Sequence, residues 1–322
     1  MPFAFGGADL ERRACLNSAA LFDFSFILRM LVSGQEANEA VSAFCGRNIS
    51  DLPEGAIRYA LHVDVNGYLL SDLTVWRVGP QEIEVMSGRA EDFDDLRIAI
   101  APFNAQVFDL SANTAVFAVQ GPDTNKILTE MGFDIDIEKI PYFRFRDIRL
   151  MNQAYRVGRL GFTGLPGVEI LCPLKRAPSL WERLSVKVTP AGMLAADRIR
   201  LSAGFALFTQ EFLPKVTAAD AGLSRFRPSG DTAGDRRPAK VCRVIFSGSM
   251  NGDLDPVHWS EKQDFPPKPN ILAVTSVVKS FSPREVLGMG YIGVKSLGSE
   301  YNEPSAILKN ISIIQRFGND GD

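Results

Sequence analysis

Histidine is almost missing: the 322-residue chain carries two, His62 and His258. A zinc site of the HExxH kind needs two histidines four apart on one helix face, so that class is excluded. Cysteine is sparse too. Cys15, Cys45, Cys172 and Cys242 lie far apart with no CxxC, which argues against zinc ribbons, iron–sulfur runs and thioredoxin-type chemistry. Free buried thiols in a reducing cytosol are the expectation. The start, MPFAFGGADLERR, lacks a basic segment followed by an apolar one, so it does not read as a signal peptide. Long hydrophobic runs are missing, and even Leu21–Val32 is broken by Asp23 and Arg29; no membrane span is expected. Nor is there an excess of positive charge. Lys plus Arg number 35 against 38 acids, a net charge of −3, which speaks against a nucleic-acid partner that needs its phosphates neutralised. A cytoplasmic location follows as the expectation.

What is present is an ordinary globular composition, 46% hydrophobic and 23% charged, with a length suited to about two domains. Glu11–Leu21 reads as a helix, Phe22–Val32 as a strand, and Glu36–Cys45 as a second helix with Ala37, Ala40, Val41 and Phe44 at helical spacing. Two strand-like runs, Ile57–Val65 and Tyr68–Val78, flank Asn66-Gly67, the pair that favours a type I′ hairpin. Glu82–Met86 adds a strand and Ala90–Ile100 a helix. From Gln106 strands and helices again mix irregularly, with strands near 107–109, 115–119, 144–151, 154–160 and 168–172 and helices at 177–184 and 192–204. The class is therefore α+β rather than a doubly wound parallel sheet. Arg225–Lys240, with two prolines, two glycines and little apolar content, reads as a linker. Beyond it lie four strand-like runs and no long helix, which predicts a β-barrel-like C-terminal domain. The expected division is 1–105, 106–226 and 227–322.

Chemistry-bearing motifs are few. Glu91, Asp92, Asp94 and Asp95 cluster acid on an expected helix, the usual mark of a solvated face. Gly158, Gly161, Gly164 and Gly167 recur every third residue in GRLGFTGLPG. Such a run can form one wall of a ligand site or simply a hairpin turn, and both readings stand. No GxSxG elbow exists, and His62 on a strand reads as a packed residue rather than a base. Asp72 sits inside the apolar strand YLLSDLTVW, sharing a face with Leu70 and Thr74. An acid there implies either a satisfied structural hydrogen bond or a functional cavity.

Several segments, in order, resemble the tetrahydrofolate-dependent aminomethyltransferases, the T-protein family of the glycine cleavage system. ALFDFS is similar to GMFDVS; YALHVDVNGYLLSDLTVW to a tyrosine-initiated hairpin ending in a DDL; and Asp109-Leu110-Ser111 with AVFAVQGP to D-x-S…A-x-QGP. GFTGLPGVEIL is similar to GYTGEDGxEI, DRIRLSAGFAL to D-x-x-RLEAG-x-x-L, and ILAVTSVVKSFSPREVLGMGYI to the C-terminal TSG-x-SP segment. The resemblance runs from about Ala20 to about Ile292. It implies a three-domain ring around a folate cavity, with tetrahydrofolate as cofactor and a small one-carbon donor or lipoyl carrier protein as partner. It makes Asp72 the catalytic acid, whose charge would stabilise a cationic carbon as ammonia leaves. Glu169 would take the amino-pyrimidine edge of the pterin, since a carboxylate accepts two parallel hydrogen bonds. Tyr59, Phe162, Arg200 and Ser87 complete the implied folate contacts.

The chain departs from the family at several positions. Ser71 replaces the first acid of the DD pair, Phe26 a histidine, Ala196 an arginine, Arg225 a tryptophan, Leu165 a glutamate and Ser87 an asparagine. Phe162 keeps an aromatic face without its hydroxyl. Losing the arginine removes a bidentate guanidinium contact that alanine does not replace. The functional expectation is a folate-dependent one-carbon or aminomethyl transferase. The alternative is a non-catalytic folate-binding protein assisting iron–sulfur cluster maintenance. That group usually carries K-G-C-(Y/F)-x-G-Q-E, of which only Lys240-Val241-Cys242-Arg243 is available, and an exposed, reactive Cys242 would favour it. A paralogue that keeps the fold and binds nothing is a third possibility.

Overall fold

The computed structural model of the chain describes residues 2–150, 153–226, 238–250, 264–280, 284–296, 301 and 308–317. They assort into two compact units, residues 1–60 with 73–199, and residues 61–72 with 200–322. In chain order the elements are α1 (Ala8–Asn17), β1 (Ala20–Asp23), β2 (Leu28–Ser33), α2 (Ala37–Cys45), β3 (Ile57–Val63), β4 (Leu69–Gly79), β5 (Glu82–Ser87), α3 (Asp92–Ala99) and β6 (Gln106–Asp109). Next come β7 (Thr114–Gln120), α4 (Thr124–Glu130), β8 (Phe145–Leu150), β9 (Gln153–Gly158), β10 (Gly167–Pro173), α5 (Ala177–Ser185), β11 (Thr189–Pro190) and α6 (Met193–Ala203). The chain continues with α7 (Phe208–Glu211), β12 (Val241–Met250), β13 (Ala273–Lys279), β14 (Glu285–Gly293) and β15 (Leu308–Phe317). The α+β class holds.

The first unit is built around a six-stranded sheet of order β11-β1-β7-β10-β9-β8, in which only β1 and β11 pair in parallel. Both of its faces are covered. On one face Val119, Val168 and Ile170 pack with Leu128 of α4 and Leu180 and Leu184 of α5. On the other Phe22, Ala118 and Leu171 pack with Trp76 and with Ala195 and Ile199 of α6. A five-stranded sheet, β3-β4-β5-β2-β6, carries its own core under α2 and α3. The second unit holds the antiparallel sheet β13-β14-β12-β15, with Val244, Phe246, Val274 and Ile292 in its core. Among the described residues no sheet closes into a barrel, so the expected barrel-like C-terminus is here an open sheet of four strands. No helix among them is long and apolar enough to cross a membrane.

Two local expectations need correction. The single strand foreseen over Phe22–Val32 is two, β1 and β2, and they belong to different sheets. A turn divides them, with the Ile27 amide donating to the Phe24 carbonyl and the Ser25 amide to Asp23 Oδ1. The hairpin at Asn66-Gly67 is real, but its turn is not type I′: Gly67 alone takes positive φ, at 81°. Asp64 decides this. Its Oδ1 accepts from the amides of Asn66 and Tyr68, and the Gly67 amide returns to the Asp64 carbonyl. That is a type I turn followed by a left-handed glycine bulge. The expected linker lies largely outside the described residues, at 227–237, as does His258.

Candidate functional site

The centre of the six-stranded sheet holds an acid where its neighbours are hydrocarbon. β10 is flanked by β7 and β9, and Glu169 lies opposite Ala118 on one side and Gly158 on the other. Alternation sends Val168, Ile170 and Cys172 to one face, and Glu169 and Leu171 to the face that packs Phe22, Leu160 and Trp76. Glu169 is 8% exposed. No hydrogen bond or ion pair reaches its carboxylate from the described residues, and burial alone pushes its carboxyl up to about 7. A buried acid without a partner is costly in a fold, and it signals a group kept to meet a ligand.

Aromatic rings line the approach to this strand. Phe162, half-buried on the loop between β9 and β10, lies edge-on to Phe22 at 5.2 Å and tilted against Phe24 at 4.6 Å. Phe24 in turn meets Phe26 at 5.8 Å, and Phe26 is 53% exposed. The row thus runs from solvent into the core. Trp76, fully buried, donates from Nε1 to Thr74 Oγ1 at 3.0 Å. Its six-membered ring lies over Gly158, where a Cβ would stand 2.2 Å from the indole edge. Glycine is therefore required beside Glu169 for the indole to pack.

The remaining expected residues sit in other settings. Asp72 is half-buried on β4, in the second unit, and alternates with the buried Leu69, Ser71 and Leu73 as the strand period foresees. Tyr59 is half-buried on β3 in the first unit, and its carbonyl accepts from Arg47 Nη1 at 2.6 Å. Ser87 closes β5 and donates to Asp92 Oδ2, while its Oγ accepts from the Arg89 amide. It ties down the entry to α3. Asp92, expected on a solvated face, is fully buried and meets Arg89 at 2.7 Å. Arg200, in the second unit, is 4% exposed; Nη1 donates to Glu211 Oε2 at 2.8 Å and to the Phe205 carbonyl, and Nη2 to Ser276 Oγ. Its chemistry here is that of a buried ion pair. His62 is buried on β3, as a packed histidine should be. All four cysteines are buried and outside any disulfide, and the Cys242 thiol donates to the Phe317 carbonyl. Nothing at Cys242 offers the exposed, reactive thiol of the alternative reading.

The model of the family described as the GCVT N-terminal domain matches residues 1–228 of the chain. This protein belongs to that family. The aminomethyltransferase of Thermotoga maritima is 31% identical over 232 residues, covering 70% of this chain and 64% of that protein. The aminomethyltransferase of Saccharopolyspora erythraea is 30% identical over 233 residues, with 70% and 63% covered. The match spans less than two thirds of the length of these relatives. The crystal structure of glycine cleavage system aminomethyltransferase T from Bartonella henselae superposes with a TM-score of 0.78 at 25% identity, covering 91% of this chain and 84% of that one.

Within the family frame, the sequence pointed to Glu169 and Phe162 but missed the side chains that shape their surroundings. Gln120, Thr163 and Trp76 had no assigned part. The signal was present in the triplet glycine spacing, which makes sense once Trp76 stands over Gly158 and Gln120 against Gly161 and Gly167. A reduced folate fits the residues present, because its amino-pyrimidine edge offers the paired N–H donors that the orphaned Glu169 carboxylate lacks.

Proposed function

We propose that this protein binds a reduced folate and serves one-carbon transfer of the aminomethyl type. The observation that carries the reading is the unpartnered, buried carboxylate of Glu169, on the strand that follows the loop bearing the half-buried ring of Phe162. When bound, the folate supplies the nitrogen that accepts the one-carbon unit. Glu169 holds the donor edge of its heterocycle in ionised form, and Phe162 offers a ring face. Tyr59 contributes a second aromatic wall. Asp72 stabilises the positive charge that develops on the transferred carbon and orients the accepting group. Ser87 and Arg200 act at one remove, by fixing the start of α3 and the segment 205–211. The three-part division at 105 and 226, the ring it implies and a lipoyl carrier as donor belong to the same proposal.

The test is a calorimetric titration with tetrahydrofolate, on wild type, Glu169→Gln and Asp72→Ala. Wild type should bind, Glu169→Gln should lose about tenfold or more in affinity, and Asp72→Ala should keep binding while losing transfer from an aminomethyl donor. Absence of binding by the wild type at millimolar ligand would refute the reading.

A further inference from the structure

Loop 159–166 carries Phe162; backbone hydrogen bonds tie its ends, the Arg159 amide to the Arg144 carbonyl and the Gly121 amide to the Pro166 carbonyl, and one side chain binds its middle. Gln120, the last residue of β7, is fully buried and lies opposite Gly167 in the register. Its Nε2 donates to the Leu160 carbonyl at 3.1 Å and to the Val168 carbonyl at 3.4 Å, on either side of the loop. Its Oε1 accepts from Thr163 Oγ1 at 2.9 Å, and that hydroxyl accepts from the Leu165 amide at 3.2 Å. The carboxamide lies close against two glycines. A Cβ on Gly161 would stand 2.0 Å from Gln120 Oε1, and one on Gly167 would stand 2.5 Å from Nε2. Both glycines are thus bare because the amide needs the room. Thr163 is 3% exposed, so the loop turns its polar side chain inward and leaves Phe162 against Phe22 and Phe24.

We propose that Gln120 and Thr163 form a positioning pair that sets the ring of Phe162 and the adjoining start of β10, which carries Glu169, for ligand binding. The inference rests on the folate reading given above. Donor and acceptor of the amide are both used, so the pair fixes the loop in one orientation, which a merely apolar plug could not do. Phe162 follows Gly161 and precedes Thr163, and the amide touches both neighbours. The backbone that carries the ring is therefore held on both sides.

The experiment uses the full chain and breaks the pair with the isosteric Thr163→Val, since truncating Gln120 would leave a cavity. Tetrahydrofolate affinity is measured for wild type, Thr163→Val, Thr163→Ser, Phe162→Ala and the Thr163→Val/Phe162→Ala double variant. Thr163→Val should weaken binding about tenfold, whereas Thr163→Ser, which keeps the hydroxyl, should stay within about twofold. In the Phe162→Ala background the valine substitution should cost under about twofold, because the pair acts through that ring. Wild-type affinity in Thr163→Val, or a full loss persisting without Phe162, would overturn the proposal. Amide hydrogen exchange is followed in parallel without ligand, and residues 161–165 should exchange faster in Thr163→Val alone. Failure of the wild type to bind overturns the folate reading, whereas unchanged exchange at 161–165 overturns the pairing itself.

Discussion

Two buried glutamates, one in each unit, show how a fold treats a structural charge and a functional one. Glu211 in the second unit is fully buried and saturated. One oxygen accepts from Arg200 at 2.8 Å and from the Leu207 amide at 2.7 Å, and the other from Thr275 at 2.9 Å and from Ser276. Glu169 in the first unit is nearly as buried and has none of this. The first charge is balanced by its own chain, and the second is left for something else to balance. Burial alone does not mark a site; burial without a partner does.

The comparison is broken most severely by giving Glu211 the condition of Glu169. Arg200→Ala removes the cation from a fully buried pair and should cost about 3–5 kcal/mol in chemical denaturation. A loss below about 1 kcal/mol would mean that the pair is not what holds this part of the second unit. The converse change treats Glu169 as a burden on stability. Its folded carboxyl is raised to about 7 from 4.5, so between these values the folded state holds a proton that the unfolded chain has released. Stability should then fall as pH rises through this window, by on the order of 3 kcal/mol, and level off above it. Glu169→Gln should remove that slope, matching wild type near pH 4.5 and exceeding it at pH 8. Parallel pH profiles for the two proteins would contradict this.

Glu11 sharpens the contrast with a smaller effect and the opposite sign. Burial would raise its carboxyl, but the amides of Phe5, Gly6, Gly7 and Gly192 donate to it and outweigh that, leaving it lowered. Its contribution is present above the ordinary glutamate range and lost as pH falls through the lowered value. Glu11→Gln should cost about 1–2 kcal/mol at pH 7 and make the acid limb of unfolding shallower. An unchanged acid limb would show that the N-terminal segment is held by other contacts.

Much of this was legible in the residues. Periodicity located most elements, because segments such as Ala37–Cys45 and Ala115–Val119 carry a pattern that matches their burial. It failed at Phe22–Val32, where a largely apolar run with polar residues at Asp23, Ser25 and Arg29 does not announce that a short turn sends its halves into separate sheets. The Asn66-Gly67 signal found the hairpin and missed its turn type, since the deciding acceptor, Asp64, lies two residues upstream. Glu169 could be singled out only through a family resemblance, as a lone glutamate in a strand says nothing about whether it is paired. Arg200 and Ser87 illustrate the reverse: their partners Glu211 and Asp92 are not their sequence neighbours, so nothing local showed those side chains already engaged.

The central claim concerns one carboxyl group, and it can be observed directly. Glutamates labelled with carbon-13 at the side-chain carboxyl, with Glu169→Gln to assign the resonance, allow its titration to be followed by NMR with and without tetrahydrofolate. The account predicts a midpoint near 7 in the free protein and a marked downward shift, with proton release, when the ligand binds. An ordinary glutamate midpoint that tetrahydrofolate leaves unmoved would contradict it.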